Sequence, residues 1–154
     1  MMQNRPGFQT SPLAKAMTAQ NENTLLAWTI SHLDGVERNK SVADYIKKRA
    51  LVHVELADYP LHLLKRIEGK QNGEAEMESI DHWVHHVTAI KRAIEADYIP
   101  EPLIVTDFWD KIEIADGNHR HEALLHSGFT NYWTIFLLTK NESVKTLNLP
   151  HRNH

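Results

Sequence analysis

The chain has 154 residues, of which 42% are hydrophobic and 24% are charged. This is the length of one ordinary domain and the composition of a globular chain, which excludes disordered and fibrous classes. The formal net charge of −3 gives no broad basic surface for nucleic acid, and the absence of cysteine excludes disulfides, thiolate metal sites and thiol nucleophiles. Because the sequence has no run of about 18 apolar residues and no signal-peptide pattern, we expect a cytoplasmic protein with no membrane partner.

The N-terminal third is predicted to be helical and to lie outside the main domain. Residues 1–22, which contain two prolines and a glycine, are expected to form a flexible arm. Residues 23–50 are expected to form an N-terminal helical extension, because apolar side chains recur at helical spacing over residues 25–33 and Ser41 can begin a second short helix.

The middle of the chain begins the main domain, which we place at residues 51–139. Partial alternation of apolar side chains over residues 51–56 predicts a strand. Pro60 is suited to the first turn of a helix, which is predicted to continue to Ile67 and to precede an exposed polar loop at residues 70–75. An apolar stripe then predicts a long helix that ends before Pro100.

The last third of the chain changes to strand periodicity. Residues 102–106 and 111–115 are β-rich and are separated by a hairpin-length loop. A short helix through residues 122–125 and a mostly buried strand at residues 132–138 follow, and residues 140–154 are expected to be a C-terminal tail. The predicted fold class is α+β, with a small mixed sheet, packed helices and an extra helical N-terminal segment.

The candidate site is the turn formed by Asp116, Gly117, Asn118, His119 and Arg120, called the 116–120 turn below. It joins a predicted strand to a predicted helix, whose first N–H groups and dipole attract anions, phosphate above all. Arg120 can donate two hydrogen bonds to phosphate oxygens, and His119 can donate a hydrogen bond or a proton. Asp116 either caps the helix or holds a magnesium ion or a substrate hydroxyl. The turn as a whole is either a capped structural turn with an exposed Arg120 or an anion site.

Residues 112–124 resemble the signature of the ParB and sulfiredoxin superfamily. That signature is a turn of the form Asp/Gly-Gly-x-His/Arg-Arg, followed by a helix with a small residue three positions after the arginine, which is Ala123 here. The flanking strands and Gly128 also match, so the resemblance covers about residues 50–139. The motif is closest to the free serine kinase-like branch.

The resemblance implies a nucleotide site. Members use the corresponding turn for CTP in partition proteins, for ATP in sulfiredoxins and for ADP or ATP in free serine kinases. By motif position, Gly117, Asn118, His119 and Arg120 would bind phosphate of a nucleotide carried with Mg²⁺. Asp116, His119 and Arg120 would be the catalytic residues. Replacement of Arg120 by alanine is then predicted to abolish binding and to leave the fold intact.

The sequence also departs from the superfamily pattern. Asn118 stands where sulfiredoxins need a cysteine, which excludes that reaction. Kinases of the family have an acidic residue near their first loop, a role for which Asp58 or Glu68 is available.

Three functions therefore remain open. The leading hypothesis is a nucleotide- or phosphate-binding protein that hydrolyses a nucleotide or transfers a phosphoryl group. The first alternative is a ParB-like nuclease or DNA-binding module of plasmid or phage origin, in which the turn contacts a DNA phosphate. The second is a non-enzymatic interaction or inhibitor protein, in which residues 1–50 contact a partner.

Further polar and aromatic residues have structural and functional interpretations. His82 and His86 lie four residues apart, which suits two ligands of one metal, but we favour a solvated helix face and predict no metal site. Trp109 either covers its loop or stacks on a base. Short basic clusters at residues 47–49, 65–66 and 91–92 are interpreted as solvated helix ends, with a nucleic-acid groove as the alternative. Two further histidines of the motif helix, His121 and His126, are expected to be exposed.

Overall fold

The computed structural model describes residues 2–35, 39–67 and 80–150 of the chain. Within these ranges, β-branched and aromatic segments form one four-stranded sheet with the strand order β1-β4-β2-β3. β1 and β3 each run antiparallel to their neighbour, whereas β2 and β4 are parallel, so the sheet is mixed. This confirms the predicted α+β class and the predicted hairpin. The strands are β1 (His53–Pro60), β2 (Leu103–Thr106), β3 (Glu113–Asp116) and β4 (Asn131–Leu138).

Six α-helices lie in the described ranges, and none of them is long and apolar enough to cross a membrane. Capping side chains start two of them: the Ser11 hydroxyl accepts a hydrogen bond from the Ala14 N–H at 3.1 Å, and the Asn39 side chain accepts from Val42 at 3.4 Å. The helices are α1 (Pro12–Asn21), α2 (Leu25–Asp34), α3 (Lys40–Lys47), α4 (Ile80–Glu95), α5 (Asn118–His126) and α6 (Asn141–Leu147).

The sheet lies between two layers of helices. Neighbouring side chains of a strand point to opposite faces, so Leu103 and Val105 join one core cluster while Ile104 joins the other. Helices α4, α5 and α6 contribute buried residues to the first cluster. Helices α2 and α3 and the C-terminal half of α1 contribute to the second. The predicted N-terminal helical extension therefore forms one wall of the core.

The flexible arm expected at residues 1–22 is not found over residues 2–22. Leu13 is fully buried, and Met2 and Phe8 are 8% and 9% exposed in the first core cluster. The Arg5 side chain donates hydrogen bonds to the carbonyls of Ile94 and Tyr98. The prediction was wrong because two prolines and a glycine do not keep a segment loose when its apolar side chains can pack into a core. The domain boundaries after residues 22, 50 and 139 stay predictions.

The helix predicted after Pro60 is limited to a single 3₁₀ turn, Leu61–Leu63. The chain then runs extended, and the Lys65 carbonyl accepts a hydrogen bond from the Ile114 N–H at 2.8 Å. Bonding to the edge of β3 replaces the helical bonds that the local pattern predicts. Glu68 and the polar loop at residues 70–75 lie outside the described residues.

The apolar stripe predicted on α4 is only partly buried. Val87 and Ile94 are 3% and 2% exposed and belong to the first core cluster. Ile80 and Val84, nearer the start of the helix, are 83% and 53% exposed. Helical periodicity therefore predicts the element but not how far along it the core extends.

Candidate functional site

The 116–120 turn has the strand–turn–helix form that the sequence predicts. β3 ends at Asp116 and α5 begins at Asn118, with Gly117 between them in the left-handed region at φ 104° and ψ 24°. The first helical hydrogen bond runs from the His121 N–H to the Gly117 carbonyl at 2.8 Å. The N-cap position is held by Gly117, which has no side chain, and in the described part of the chain the Asp116 carboxylate accepts from Asn39 and Arg120 and not from an N–H of α5, so the interpretation of Asp116 as a helix cap is wrong. An uncapped first turn leaves main-chain N–H groups without acceptors inside the helix.

Packing explains why residue 117 is glycine. A Cβ atom on Gly117 would lie 2.8 Å from Nη2 of Arg120 and 2.8 Å from Cδ2 of Leu103. Both distances are well inside van der Waals contact, and the positive φ disfavours any other residue. The glycine therefore lets Arg120 and Leu103 pack directly against the main chain of the turn.

Arg120 is held by acidic and carbonyl oxygens instead of being exposed. Its Nη2 donates to Oδ2 of Asp116 at 3.0 Å and to the Pro102 carbonyl at 3.1 Å, and its Nη1 lies 3.8 Å from Oε2 of Glu101. The Arg120 side chain is 16% exposed. Burial acts to lower the pKa of Arg120, but the charges of Asp116 and Glu101 outweigh it and raise the pKa, so the side chain stays a cation.

Two further contacts connect the carboxylates around Arg120 to the N-terminal helices. The Asn39 side-chain amide donates to Oδ1 of Asp116 at 3.1 Å, and Nε2 of His32 lies 3.4 Å from Oε2 of Glu101. No motif in the sequence points to Asn39, His32 or Glu101 as neighbours of the turn. Asn39 carries a weak signal, since it is a helix-capping residue type, but no local spacing predicts a partner 77 positions away.

These contacts correct one expectation. Alanine at residue 120 would leave the carboxylates of Asp116 and Glu101, which are 19% and 9% exposed, without their shared cation. An Arg120→Ala variant is therefore expected to lose stability, and it is a poor test of binding alone.

Asn118 uses both of its polar atoms within the protein. Its Oδ1 accepts a hydrogen bond from the Ile67 N–H at 3.1 Å, and its Nδ2 donates to the Ile114 carbonyl at 3.3 Å. Asn118 thus joins the extended segment after the 3₁₀ turn to β3 and α5. The arrangement gives this residue an anchoring role beside the turn.

His119 projects toward α4, where it contacts two residues that the sequence analysis did not connect with the turn. Its ring lies 4.3 Å from the Trp83 ring, and its Nε2 lies 3.4 Å from Nδ1 of His86. Trp83 is itself oriented by a 2.7 Å hydrogen bond to Glu122. Sequence spacing relates His86 only to His82, because the approach of His86 to His119 depends on how α4 packs against α5.

The expected exposure of the α4 histidines and of His126 is confirmed, whereas the expected exposure of His121 is wrong. His82, His85 and His86 are exposed on α4, as is His126 at the end of α5. Among the described residues, no group of three His, Cys, Asp or Glu side chains is placed to hold a metal ion. His121, however, is only 5% exposed, and its Nε2 donates to the Leu61 carbonyl at 2.8 Å. His121 is buried because it lies on the side of α5 that faces the 3₁₀ turn at Leu61.

The buried His121 predicts an acid-sensitive fold. Burial lowers the pKa of His121 from 6.5, so below that pH the unfolded chain binds more protons at this residue than the folded chain. The free energy of unfolding should therefore fall as the pH drops from 6.5 toward the folded-state pKa. Urea titrations at about pH 7.5 and about pH 5.5 measure this loss. A His121→Gln variant keeps an N–H donor for Leu61 and does not titrate, so its loss should be smaller; equal losses would contradict the assignment.

The other candidate residues have local partners. Asp58 lies on β1, at the opposite edge of the sheet from β3, so it is not brought to the turn. Trp109 packs edge-on against Tyr45 with ring centroids 5.0 Å apart, as a loop-covering side chain would. In the basic clusters, Lys47 pairs with Asp34 and Arg66 lies 3.3 Å from Glu122. The contact of Lys47 agrees with the end of a helix, whereas Arg66 lies on the extended segment after the 3₁₀ turn, so the interpretation of residues 65–66 as a helix end is wrong.

Comparison with known proteins gives one solved structure. Sulfiredoxin from Arabidopsis thaliana is similar at a TM-score of 0.40 and 14% sequence identity, over 62% of this chain and 99% of that chain. No protein-family model and no curated protein matches the sequence. These values assign no family, so the chain is classified by its own α+β architecture, and the superfamily resemblance of the turn stays a prediction.

Proposed function

We propose that the 116–120 turn binds the phosphate of a nucleotide, ATP, ADP or CTP, or of another phosphorylated small molecule. The observation that carries the proposal is the start of α5 at Gly117, which has no side chain to cap the helix, with His119 and Arg120 in the first turn. Main-chain N–H groups at a helix start bind phosphate oxygens well, since the helix dipole adds positive potential there. The superfamily resemblance of the turn supports the same ligand class.

Each residue of the turn would have a separate role in binding the phosphate. His119, held between Trp83 and His86, would donate a hydrogen bond or a proton to the phosphate. Arg120 would contribute its positive charge from beside Gly117 and keep Asp116 oriented. Each oxygen of Asp116 accepts one hydrogen bond and retains a lone pair, so the carboxylate fits a Mg²⁺ that arrives with the nucleotide. Bound Mg²⁺ would neutralise phosphate charge.

The reaction class that fits these groups is nucleotide hydrolysis or phosphoryl transfer. Such reactions need positioning and charge neutralisation more than covalent chemistry by the protein. Asp116, His119 and Arg120 are the proposed catalytic residues, and Gly117 and Asn118 shape the turn that carries them. The acceptor of the phosphoryl group is left open by this proposal.

Calorimetric titration with MgATP, MgADP and MgCTP at one temperature tests the proposal. We expect at least one nucleotide to bind. We expect His119→Ala to weaken the affinity for that nucleotide by about tenfold, because a hydrogen bond to a charged group contributes about this much. His126→Ala is the matched control, because it removes an exposed histidine from the far end of the same helix. Its affinity should equal that of the unchanged protein.

Two results would contradict the proposal. One is the absence of heat with all three nucleotides, and the other is an equal effect of the two histidine variants. Binding of duplex DNA with a steep salt dependence, in the absence of nucleotide binding, would instead favour the DNA alternative.

A further inference from the structure

The side chains of His86 on α4 and His119 on α5 meet at the surface, where the two helices pack together. Nδ1 of His86 lies 3.4 Å from Nε2 of His119, and the two rings cross at 83° with their centroids 4.8 Å apart. His86 is exposed and His119 is partly exposed. A hydrated ion from solvent can therefore reach this pair of rings.

The distance between the two nitrogen atoms fits a metal ion. Zn²⁺ binds imidazole nitrogen at about 2.0 to 2.1 Å in tetrahedral geometry, which places two ligand nitrogens about 3.3 to 3.4 Å apart. A square-planar ion with similar bond lengths would need them about 2.9 Å apart. The observed 3.4 Å equals the edge of a zinc tetrahedron and is long for a hydrogen bond, for which about 2.7 to 3.2 Å is usual.

The surroundings of His119 restrict its ring before any ion binds. The ring lies 4.3 Å from the Trp83 ring, and the Trp83 indole N–H donates to Glu122 at 2.7 Å, which fixes the indole against α5. The nearby positive charge of Arg66 is compensated by Glu122, 3.3 Å away. A ligand that is already oriented loses less conformational freedom when it binds a metal.

We propose that His86 and His119 together bind a zinc ion, through Nδ1 of His86 and Nε2 of His119. In the part of the chain that the structure describes, no third His, Cys, Asp or Glu side chain is placed to join them. Water or an oxygen anion would therefore fill the remaining positions. Because the site has half the protein ligands of a structural zinc site, we expect a dissociation constant on the order of 10⁻⁵ M.

This site goes beyond the nucleotide proposal, because zinc binding requires no phosphate, although both proposals use His119. With Nε2 on the metal, Nδ1 of His119 keeps its proton and can still donate a hydrogen bond. A phosphate oxygen bound at the start of α5 would also be a suitable ligand for an open position of the ion. The two sites are therefore compatible.

Titration of the full chain with zinc chloride, in a buffer without phosphate or nucleotide, tests the site. Calorimetry measures the dissociation constant, and NMR of the histidine ring nitrogens locates the ligands. The ¹⁵N resonances of His86 Nδ1 and His119 Nε2 should move more than those of any other ring nitrogen. Magnesium chloride at the same concentration should leave both in place, because Mg²⁺ prefers oxygen ligands.

Five single substitutions by alanine then assign the ligands. His86→Ala and His119→Ala should each weaken zinc binding by about tenfold or more, because each removes one of the two ligands. His85→Ala and His126→Ala are the matched controls, since each removes an exposed histidine from one of the two helices, and neither should change the affinity. His82→Ala should change it by less than about twofold, which distinguishes the proposed pair from the pair four residues apart on α4.

Three outcomes would overturn the proposal: no heat with millimolar zinc, an unchanged affinity in His119→Ala, or ring shifts confined to His82 and His86. The last would place the ion on α4 alone. If His119→Ala does not fold, the ring shifts in the unchanged protein decide the point. None of these outcomes bears on the nucleotide site, because the titration contains no phosphate.

Discussion

Removal of residues 1–50 is expected to leave a chain that does not fold. Helices α1, α2 and α3 cover one face of the sheet, where Leu56, Ile104, Ile135 and Leu137 are at most 2% exposed. Exposing four such side chains costs about 6 to 12 kcal/mol, which is as large as the whole stability of an ordinary domain. Circular dichroism and amide NMR of residues 51–154 should show an unfolded or aggregated chain.

Two substitutions in α2 separate the effect of burial on stability from the effect of deleting a long segment. Leu33 is 1% exposed and Leu26 is 36% exposed on the same helix. Leu33→Asp should unfold the protein, whereas Leu26→Asp should leave most of its stability, measured by urea titration. A well-dispersed NMR spectrum from residues 51–154 would contradict this account. It would also restore the hypothesis that residues 1–50 serve chiefly to contact a partner.

Much of the architecture follows from periodicity in the sequence. Two β-rich runs separated by a hairpin-length loop predict the β2–β3 hairpin. Helical spacing predicts α2 and α4, because the pattern reports which side of a helix faces a core. The strand–turn–helix around Gly117 is predicted for a related reason, since the glycine interrupts a strand pattern immediately before a helical one.

The remaining errors come from contacts between distant parts of the chain. Asn39 and Glu101 reach the turn from other elements, and nothing near residues 116–120 indicates that the Glu101 carboxylate joins Asp116 beside Arg120. The extended segment that contains Lys65 is likewise decided by its bond to Ile114, against its local helical preference. Motif reasoning therefore locates the turn, whereas tertiary contacts determine which of its side chains remain available to a ligand.

Gly117→Ala is expected to destabilise the protein by about 2 to 6 kcal/mol in the absence of any ligand. The left-handed conformation at φ 104° costs about 1 to 3 kcal/mol for alanine. The new methyl group would also overlap Nη2 of Arg120 and Cδ2 of Leu103, and such overpacking costs about 1 to 3 kcal/mol. Urea titration of the two proteins measures the difference.

Gly128→Ala is the matched control for this substitution. Gly128 follows α5 with φ 86°, and a Cβ there would have no atom within 4 Å, so only the conformational cost applies. We expect a loss of about 1 to 3 kcal/mol in the control and a larger loss in Gly117→Ala.

Equal losses would show that Arg120 and Leu103 move aside at no cost. A larger loss would mean that Arg120 and Leu103 do not move aside, so that the methyl group displaces or strains the Arg120–Asp116 pair. Because the Arg120–Asp116 pair belongs to the proposed phosphate site, the nucleotide affinity of Gly117→Ala should then also decrease, even where the variant remains folded.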